Sequence, residues 1–263
     1  MNRFEMANLK INNFQNGFSL LELSIALTII AILSFGLSGA LNKVGDFDKY
    51  TENRVILQKN YQAFLTFAQV NGYLPCPDTD GDGLENREGT FECTDKNGTV
   101  PFQDLGVAFG DVWNEPLHYS VNNQADNSTG EILDPLESAS YFSNQPGALH
   151  FDIDTPPFGS STGAGNYTVC NELAVAACNA ATPSAGIAGF SVIAVVVSFG
   201  KNGAQTWAGN AVSAAEIENS DNDNYFWQAV GSNVQNQDFD DQLFWITGYD
   251  IKYVSLKSGR AIQ

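Results

Sequence analysis

Basic side chains are scarce in this chain: 12 lysines and arginines stand against 30 aspartates and glutamates, a formal net charge of −18 at neutral pH. Phosphate backbones call for a basic footprint, so nucleic acid is not an expected partner. Histidine is almost missing, with only His118 and His150, and neither lies near a cysteine in the sequence. No C-x-x-C pair occurs either, which removes the usual zinc spacings. There is no H-E-x-x-H, no P-loop and no dinucleotide-binding glycine motif, so signals for an enzyme are poor. A lone histidine in an expected strand, as at His118 and His150, is far more often structural than a general base. No self-similar period of 20–50 residues is visible, which argues against a solenoid or propeller.

Long apolar runs are also few, and one dominates. From Phe18 to Leu41 there are 24 residues with a single charge, Glu22. As a helix this run is about 36 Å long at ~1.5 Å per residue, enough to cross a ~30 Å hydrocarbon core. No proline interrupts it. A carboxylate at the centre of a bilayer costs ~2.5–3.5 kcal/mol, so an acid in such a helix is normally paired or functional. Glu22 lies near the expected interface, which lowers the cost but does not explain the residue. The basic residues flanking the run, Arg3 and Lys10 before it and Lys43 and Lys49 after it, do not separate the two sides.

Gly17-Phe18-Ser19-Leu20-Leu21-Glu22-Leu23 closely resembles the amino-terminal motif of type IV prepilins and of type II secretion pseudopilins. The pattern is a short charged leader, a glycine, often a phenylalanine, and a glutamate four positions on inside an apolar helix. The resemblance implies cleavage after Gly17 by the prepilin peptidase and methylation of the new terminus, Phe18. It implies that Glu22 guides assembly by pairing with the terminal amine of a neighbouring subunit. It also implies an inner-membrane, single-pass precursor with its head in the periplasm, and contacts with other pilins and with the assembly platform. The rival readings are an ordinary signal anchor, with Glu22 beside the headgroups, and a signal peptide cleaved after Ser38-Gly39-Ala40. The second needs an acid in its apolar core, against the usual pattern.

The expected fold class is α+β and pilin-like. A long amino-terminal helix, half in the membrane and half amphipathic, packs on an antiparallel β-sheet head. The expected parts are a leader over 1–17, an assembly helix over 18–41, its amphipathic continuation over 42–72 and a head over 73–263. In the continuation Phe47, Tyr50, Leu57, Tyr61, Phe64 and Ala68 recur at helical spacing, with Asn53 and Asn60 mostly off that stripe. Gly72 is the expected stop, with Pro75 beyond it. Within the head, Ala148–Ile153 and Phe190–Phe199 read as strands, the latter β-branched and suited to burial on both faces. Leu243–Thr247 and Tyr249–Leu256 read as the last strands. Residues 122–131, 155–166 and 214–224 read as loops. Asp111-Val112-Trp113-Asn114-Glu115-Pro116-Leu117-His118-Tyr119 carries a D-x-W-x-x-P-x-x-Y pattern resembling one in pseudopilin heads.

Cys76, Cys93, Cys170 and Cys178 all fall in the exported part, and an even count there suggests disulfides. Three pairings are open. The local one, Cys76–Cys93 with Cys170–Cys178, is expected because each bond would staple a polar loop. Asp78, Asp80 and Asp82, followed by Gly83, match the opening of an oxygen-rich calcium loop. The twelfth position, where an EF-hand places a bidentate glutamate, is Gly89. The two readings are a calcium loop outside the EF-hand pattern and a solvated Asp-Gly turn. Calcium is the one cofactor the sequence suggests. A later acidic group, Glu218, Asp221, Asp223, Asp238, Asp240 and Asp241, lies in the region where the resemblance to major pseudopilins implies a calcium-binding late loop, but its residues match no fixed ligand pattern. The expected role is a structural minor pilin or pseudopilin rather than a catalyst. The alternative is a membrane-anchored periplasmic enzyme or calcium-dependent binding module.

Overall fold

The computed structural model describes residues 19–88, 92–121, 165, 167–171, 178–211, 213–228, 232–234 and 237–257. Side chains are described for all of these except 35–47, 92, 215, 232–234 and 237–239. The expected strand Ala148–Ile153, His150 and nearly all of 122–131 and 155–166 lie outside the described residues. The chain divides into two compact units, Met1–Asp48 and Lys49–Gln263.

The described part of the first unit is helical. It holds the opening of α1, Leu20–Asn71. The remainder of α1 belongs to the second unit and ends where Gly72 turns to a φ of 91°, its N–H donating to the Ala68 carbonyl at 2.8 Å.

The second unit is α+β. After α1 come β1 (Arg87–Glu88), β2 (Glu92–Cys93), β3 (Asn97–Thr99), α2 (Phe102–Leu105), β4 (His118–Val121), β5 (Tyr167–Cys170) and β6 (Ile187–Ser198). Then follow α3 (Gly203–Trp207), α4 (Ala214–Ser220), β7 (Tyr225–Trp227), β8 (Ser232–Val234), β9 (Gln237–Phe239), β10 (Gln242–Thr247) and α5 (Gly248–Lys257). The main sheet runs β3-β4-β6-β5-β7, with β10 also paired to β6. Every pairing in it is antiparallel except β5 with β7, where Val169 faces Phe226 in a parallel register. A wholly antiparallel sheet was expected, and this one pair departs from it. The small sheets β1-β2 and β8-β9 stand apart.

β6 is the centre of the core. Its β-branched run is buried from Ser191 to Ser198. On one side Ile193, Ala194 and Val196 join Leu57, Phe64 and Ala68 of α1, Tyr119 and Val121 of β4, and Ile246 of β10. On the other, Val192, Val195 and Val197 join Tyr167 and Val169 of β5, with Phe199, Phe226 and Leu243. Phe64 packs against the Tyr119 ring at 4.7 Å and is fully buried. Removing a phenylalanine there costs about 3–5 kcal/mol, so α1 is held largely by this stripe.

Two segments differ from the sequence expectation. Residues 249–256 are helical, not a strand, and 214–220 form a helix within the expected loop. Both helices start on a reciprocal side-chain cap. Glu216 N donates to Ser213 Oγ at 3.1 Å while Ser213 N donates to Glu216 Oε2 at 3.0 Å. Thr247 N donates to Asp250 Oδ2 at 2.8 Å, with Asp250 N returning to Thr247 Oγ1 at 3.4 Å. Such boxes satisfy backbone donors that a helix start leaves open. Ile251 and Val254 are then buried three apart, a helical spacing that the apparent alternation of that segment hid.

Candidate functional site

The segment singled out by sequence begins α1. Gly17 and Phe18 lie outside the described residues. Ser19 opens the helix: its Oγ accepts from Leu21 N at 3.3 Å and its carbonyl accepts from Leu23 N at 3.0 Å. Glu22 stands in the first turn, where the helix dipole favours a negative charge by about 0.3–1 kcal/mol. It is exposed and forms no ion pair among the described residues. Around it the helix is apolar on every side. Leu20, Leu21, Leu23, Ile25, Leu27, Ile29, Ile30, Ile32 and Leu33 are each at least half exposed, from 52% to 87%. At 100° per residue these positions leave no polar face, the pattern of a helix that something apolar must surround. Ser24 and Thr28 fit such surroundings, since each hydroxyl donates to a carbonyl one turn back, at 2.8 Å. Among the described residues no helix is long and apolar enough to cross a membrane. The described side chains of this run end at Ser34.

In the second unit both local disulfides are formed, Cys76–Cys93 and Cys170–Cys178, and no described cysteine is free. Asp78, Asp80 and Asp82 do converge, each offering an oxygen within 4.8 Å of the others. Their hydrogen bonds show what the convergence accomplishes. Asp78 Oδ1 accepts from Asp80 N and Gly81 N, at 3.1 and 2.7 Å. Asp78 Oδ2 accepts from Gly83 N at 2.8 Å and from Thr99 Oγ1 at 3.2 Å. Asp80 and Asp82 each accept from the backbone two residues on. One buried carboxylate therefore closes the turn on its own N–H groups, and two exposed ones extend the pattern. The oxygens are of the type a hard cation takes, but the buried one is already saturated by the chain.

The late acidic residues form two groups. Glu218, Asp221 and Asp223 interact near the surface, and burial followed by the neighbouring charges of Asp223 and Asp221 pushes the Glu218 carboxyl up to about 7. Asp240 and Asp241 lie with Glu216, which the sequence reading did not include. The side chain of Asp238 lies outside the described residues.

A polar network in the core was not foreseen. Asn53 of α1 is fully buried, and its Nδ2 donates to Ser198 Oγ at 2.9 Å and to Gln242 Oε1 at 3.0 Å. Ser198 Oγ donates to Asp111 Oδ2 at 2.7 Å. Asp111 Oδ1 accepts from Trp113 N and Glu115 N, at 2.9 and 3.0 Å. Burial raises the Asp111 carboxyl, and the N–H groups and the hydroxyl around it pull it back down. The D-x-W stretch is thus a structural corner: the Trp113 ring meets Tyr50 at 5.4 Å, and Tyr119 Oη donates to the Pro75 carbonyl at 2.9 Å. His118 is buried between Phe199 and Trp207 with Nε2 at 2.9 Å from Ser120 Oγ, and burial lowers its pKa to about 4. The string Gly159-Ser160-Ser161-Thr162-Gly163 has the spacing of a nucleophile elbow, but it lies outside the described residues.

Residues 12–38 match the family model described as the prokaryotic N-terminal methylation motif. The chain therefore carries a type IV pilin-like prepilin motif, spanning Gly17, Phe18 and Glu22. No curated protein and no solved structure matches the chain.

Proposed function

We propose that this chain is a structural subunit of a type IV pilin-like filament, a minor pilin or a type II secretion pseudopilin. The observation that carries the reading is the methylation motif over residues 12–38, set on the opening of α1, which is apolar on every side from Leu20 to Leu33 and carries Glu22 as its one charge there. In this account prepilin peptidase cuts after Gly17 and Phe18 is methylated. Residues 18–41 hold the precursor in the inner membrane with the second unit in the periplasm. The assembly platform then moves the helix from lipid into a bundle of similar helices.

The physics favours that transfer. Lipid and neighbouring apolar helices solvate Leu20–Leu33 about equally, so little hydrophobic energy separates the two states. The carboxylate differs. In lipid it has only the interface, whereas beside another subunit it meets a terminal amine, and two costly charges are neutralised together. Glu22 then sets register by electrostatics rather than by shape. No catalytic step is assigned to the head. The Asp78 loop is read as a self-closed turn stapled by Cys76–Cys93, because Asp78 already accepts four hydrogen bonds.

Sequencing the amino terminus of the protein purified from its native membrane tests the proposal. A start at N-methyl-phenylalanine, residue 18, supports it. An intact Met1, or a start at Leu41, overturns it in favour of a signal anchor or a released periplasmic protein.

A further inference from the structure

We propose that Tyr253 of one copy of this chain docks in a groove between α1 and the turn after α2 of a second copy, its hydroxyl donating to the Asn60 side-chain oxygen there. The contact belongs to the second unit and rests on the filament reading for what brings copies side by side.

The groove holds about 400 Å³. Ile56, Asn60 and Ala63 of α1 form one wall, and Leu105 and Val107 the other. Leu105 and Val107 also pack on the core, so that wall is fixed in place. Gly106 keeps the space open, since a Cβ there would meet nothing within 4 Å. Asn60 is out of place among these apolar groups. It is 1% exposed, and its Nδ2 donates to the Ile56 carbonyl at 3.0 Å. Its Oδ1 is buried with no hydrogen-bond partner among the described residues. A buried amide oxygen without a donor is rare and calls for one. Apolar walls with one unmet acceptor suit a ring that ends in a polar hydrogen.

Tyr253 has that form. It is 66% exposed on α5, and its hydroxyl makes no hydrogen bond among the described residues. Tyr249 and Leu256, four residues before it and three after, are exposed on the same helix face. Tyrosine is enriched among the few residues that dominate protein interfaces, because it buries a large ring and still satisfies a polar partner.

Placement identifies the occupant as a second copy. Ile56, Asn60 and Ala63 point to one flank of α1. Tyr61, Leu65 and Gln69, which border α5 beside Asp250 and Tyr253, point about 170° away at 100° per residue. Surfaces that face apart cannot both be used in a closed pair. The contact must repeat head to tail, the arrangement that builds open helical assemblies. Charge points the same way. Lys252 and Lys257 stand on α5, where Asp250 is engaged by Tyr61 and Thr247. On the groove flank Glu52 and Asp104 are exposed acids, with Lys59 between them. One ring in one groove is a weak contact between free copies. It gains weight when membrane helices hold the copies close and raise their effective concentration.

The test places a photo-reactive p-azidophenylalanine at Lys59, an exposed residue on the groove rim, in the full-length chain in its native membrane. The expected result on irradiation is a product of twice the chain mass, linked within residues 249–257 of the second copy. Tyr253→Ala should lower its yield at least tenfold and Tyr253→Phe at least threefold, with Tm unchanged because the residue is exposed. No product between copies, a link to another part of the chain or to a different protein, or a yield that survives Tyr253→Ala overturns the inference. Full yield in Tyr253→Phe overturns the bond to Asn60. Amino-terminal sequencing of the same sample keeps the two readings apart. A chain trimmed to Phe18 that gives no such product overturns this contact alone. A product from an untrimmed chain supports the contact while the filament role falls.

Discussion

Replacing Asp111 by alanine should destabilise the second unit by about 2–4 kcal/mol. The carboxylate accepts from the Ser198 hydroxyl at 2.7 Å and from the N–H groups of Trp113 and Glu115 at 2.9 and 3.0 Å. Ser198 is fully buried, so its hydroxyl cannot turn to water, and an orphaned buried donor costs about 1–3 kcal/mol. Trp113 and Glu115 are only half-buried, so water can reach their N–H groups and each contributes less. Against these losses stands one gain. The buried carboxylate itself has a raised pKa, and removing it also removes its desolvation cost. For a unit of this size 1 kcal/mol moves Tm by ~2–4 °C, so the expected fall is ~4–16 °C. The measurement is thermal melting of full-length Asp111→Ala, followed by far-ultraviolet circular dichroism. A fall below about 2 °C with native ellipticity would mean that the network is not a stability element, and the reasoning from orphaned donors would fail.

The remaining predictions are of other kinds. Burial holds His118 neutral with a pKa near 4, so the unfolded chain takes up its proton first as pH falls. Its contribution is therefore complete above pH ~6.5 and is lost down to about pH 4, a change of ~3 kcal/mol. His118→Gln should flatten the fall of Tm between pH 7 and 4.5, and an unchanged slope would remove histidine from that role. Replacing both Cys76 and Cys93 by serine frees a loop with a sequence separation of 17, worth about 3 kcal/mol in chain entropy. Melting should show a fall of ~6–12 °C, and an unaltered Tm would show that the loop is held by its hydrogen bonds alone. Glu22→Leu should leave cleavage after Gly17 intact and reduce incorporation into sheared filaments. Full incorporation of that variant would deny the acid its part in register.

Much of this architecture could be read from residue patterns, and the misses have definite causes. The apolar run, the stop at Gly72 and the burial of Ser191–Phe199 follow from periodicity, glycine and β-branching, whereas Phe190, expected in the same buried strand, is 72% exposed. Asn53 and Asn60 were placed off the buried stripe of α1, yet both are almost wholly buried. With Leu57, Phe64 and Ala68 they complete one helical stripe, and an asparagine whose partners sit 145 and 189 residues away reads as surface in any local window. The helices α4 and α5 were missed although Ser213-x-x-Glu216 and Thr247-x-x-Asp250 announce both starts. In each case acidity or alternation of the following residues outweighed the cap. Glu216 went unnoticed as a partner of Asp240 and Asp241 because a buried glutamate on a short helix leaves no trace in spacing.

The buried amide of Asn53 limits how the lower part of α1 can seat. A seam made only of leucine and phenylalanine would tolerate sliding by a turn, since one oily contact replaces another at small cost. Here any such slip or rotation leaves the buried Asn53 amide without Ser198 and Gln242, its two acceptors. The joint is keyed: its grip comes from oil, and its single correct setting comes from three polar groups that fit nowhere else.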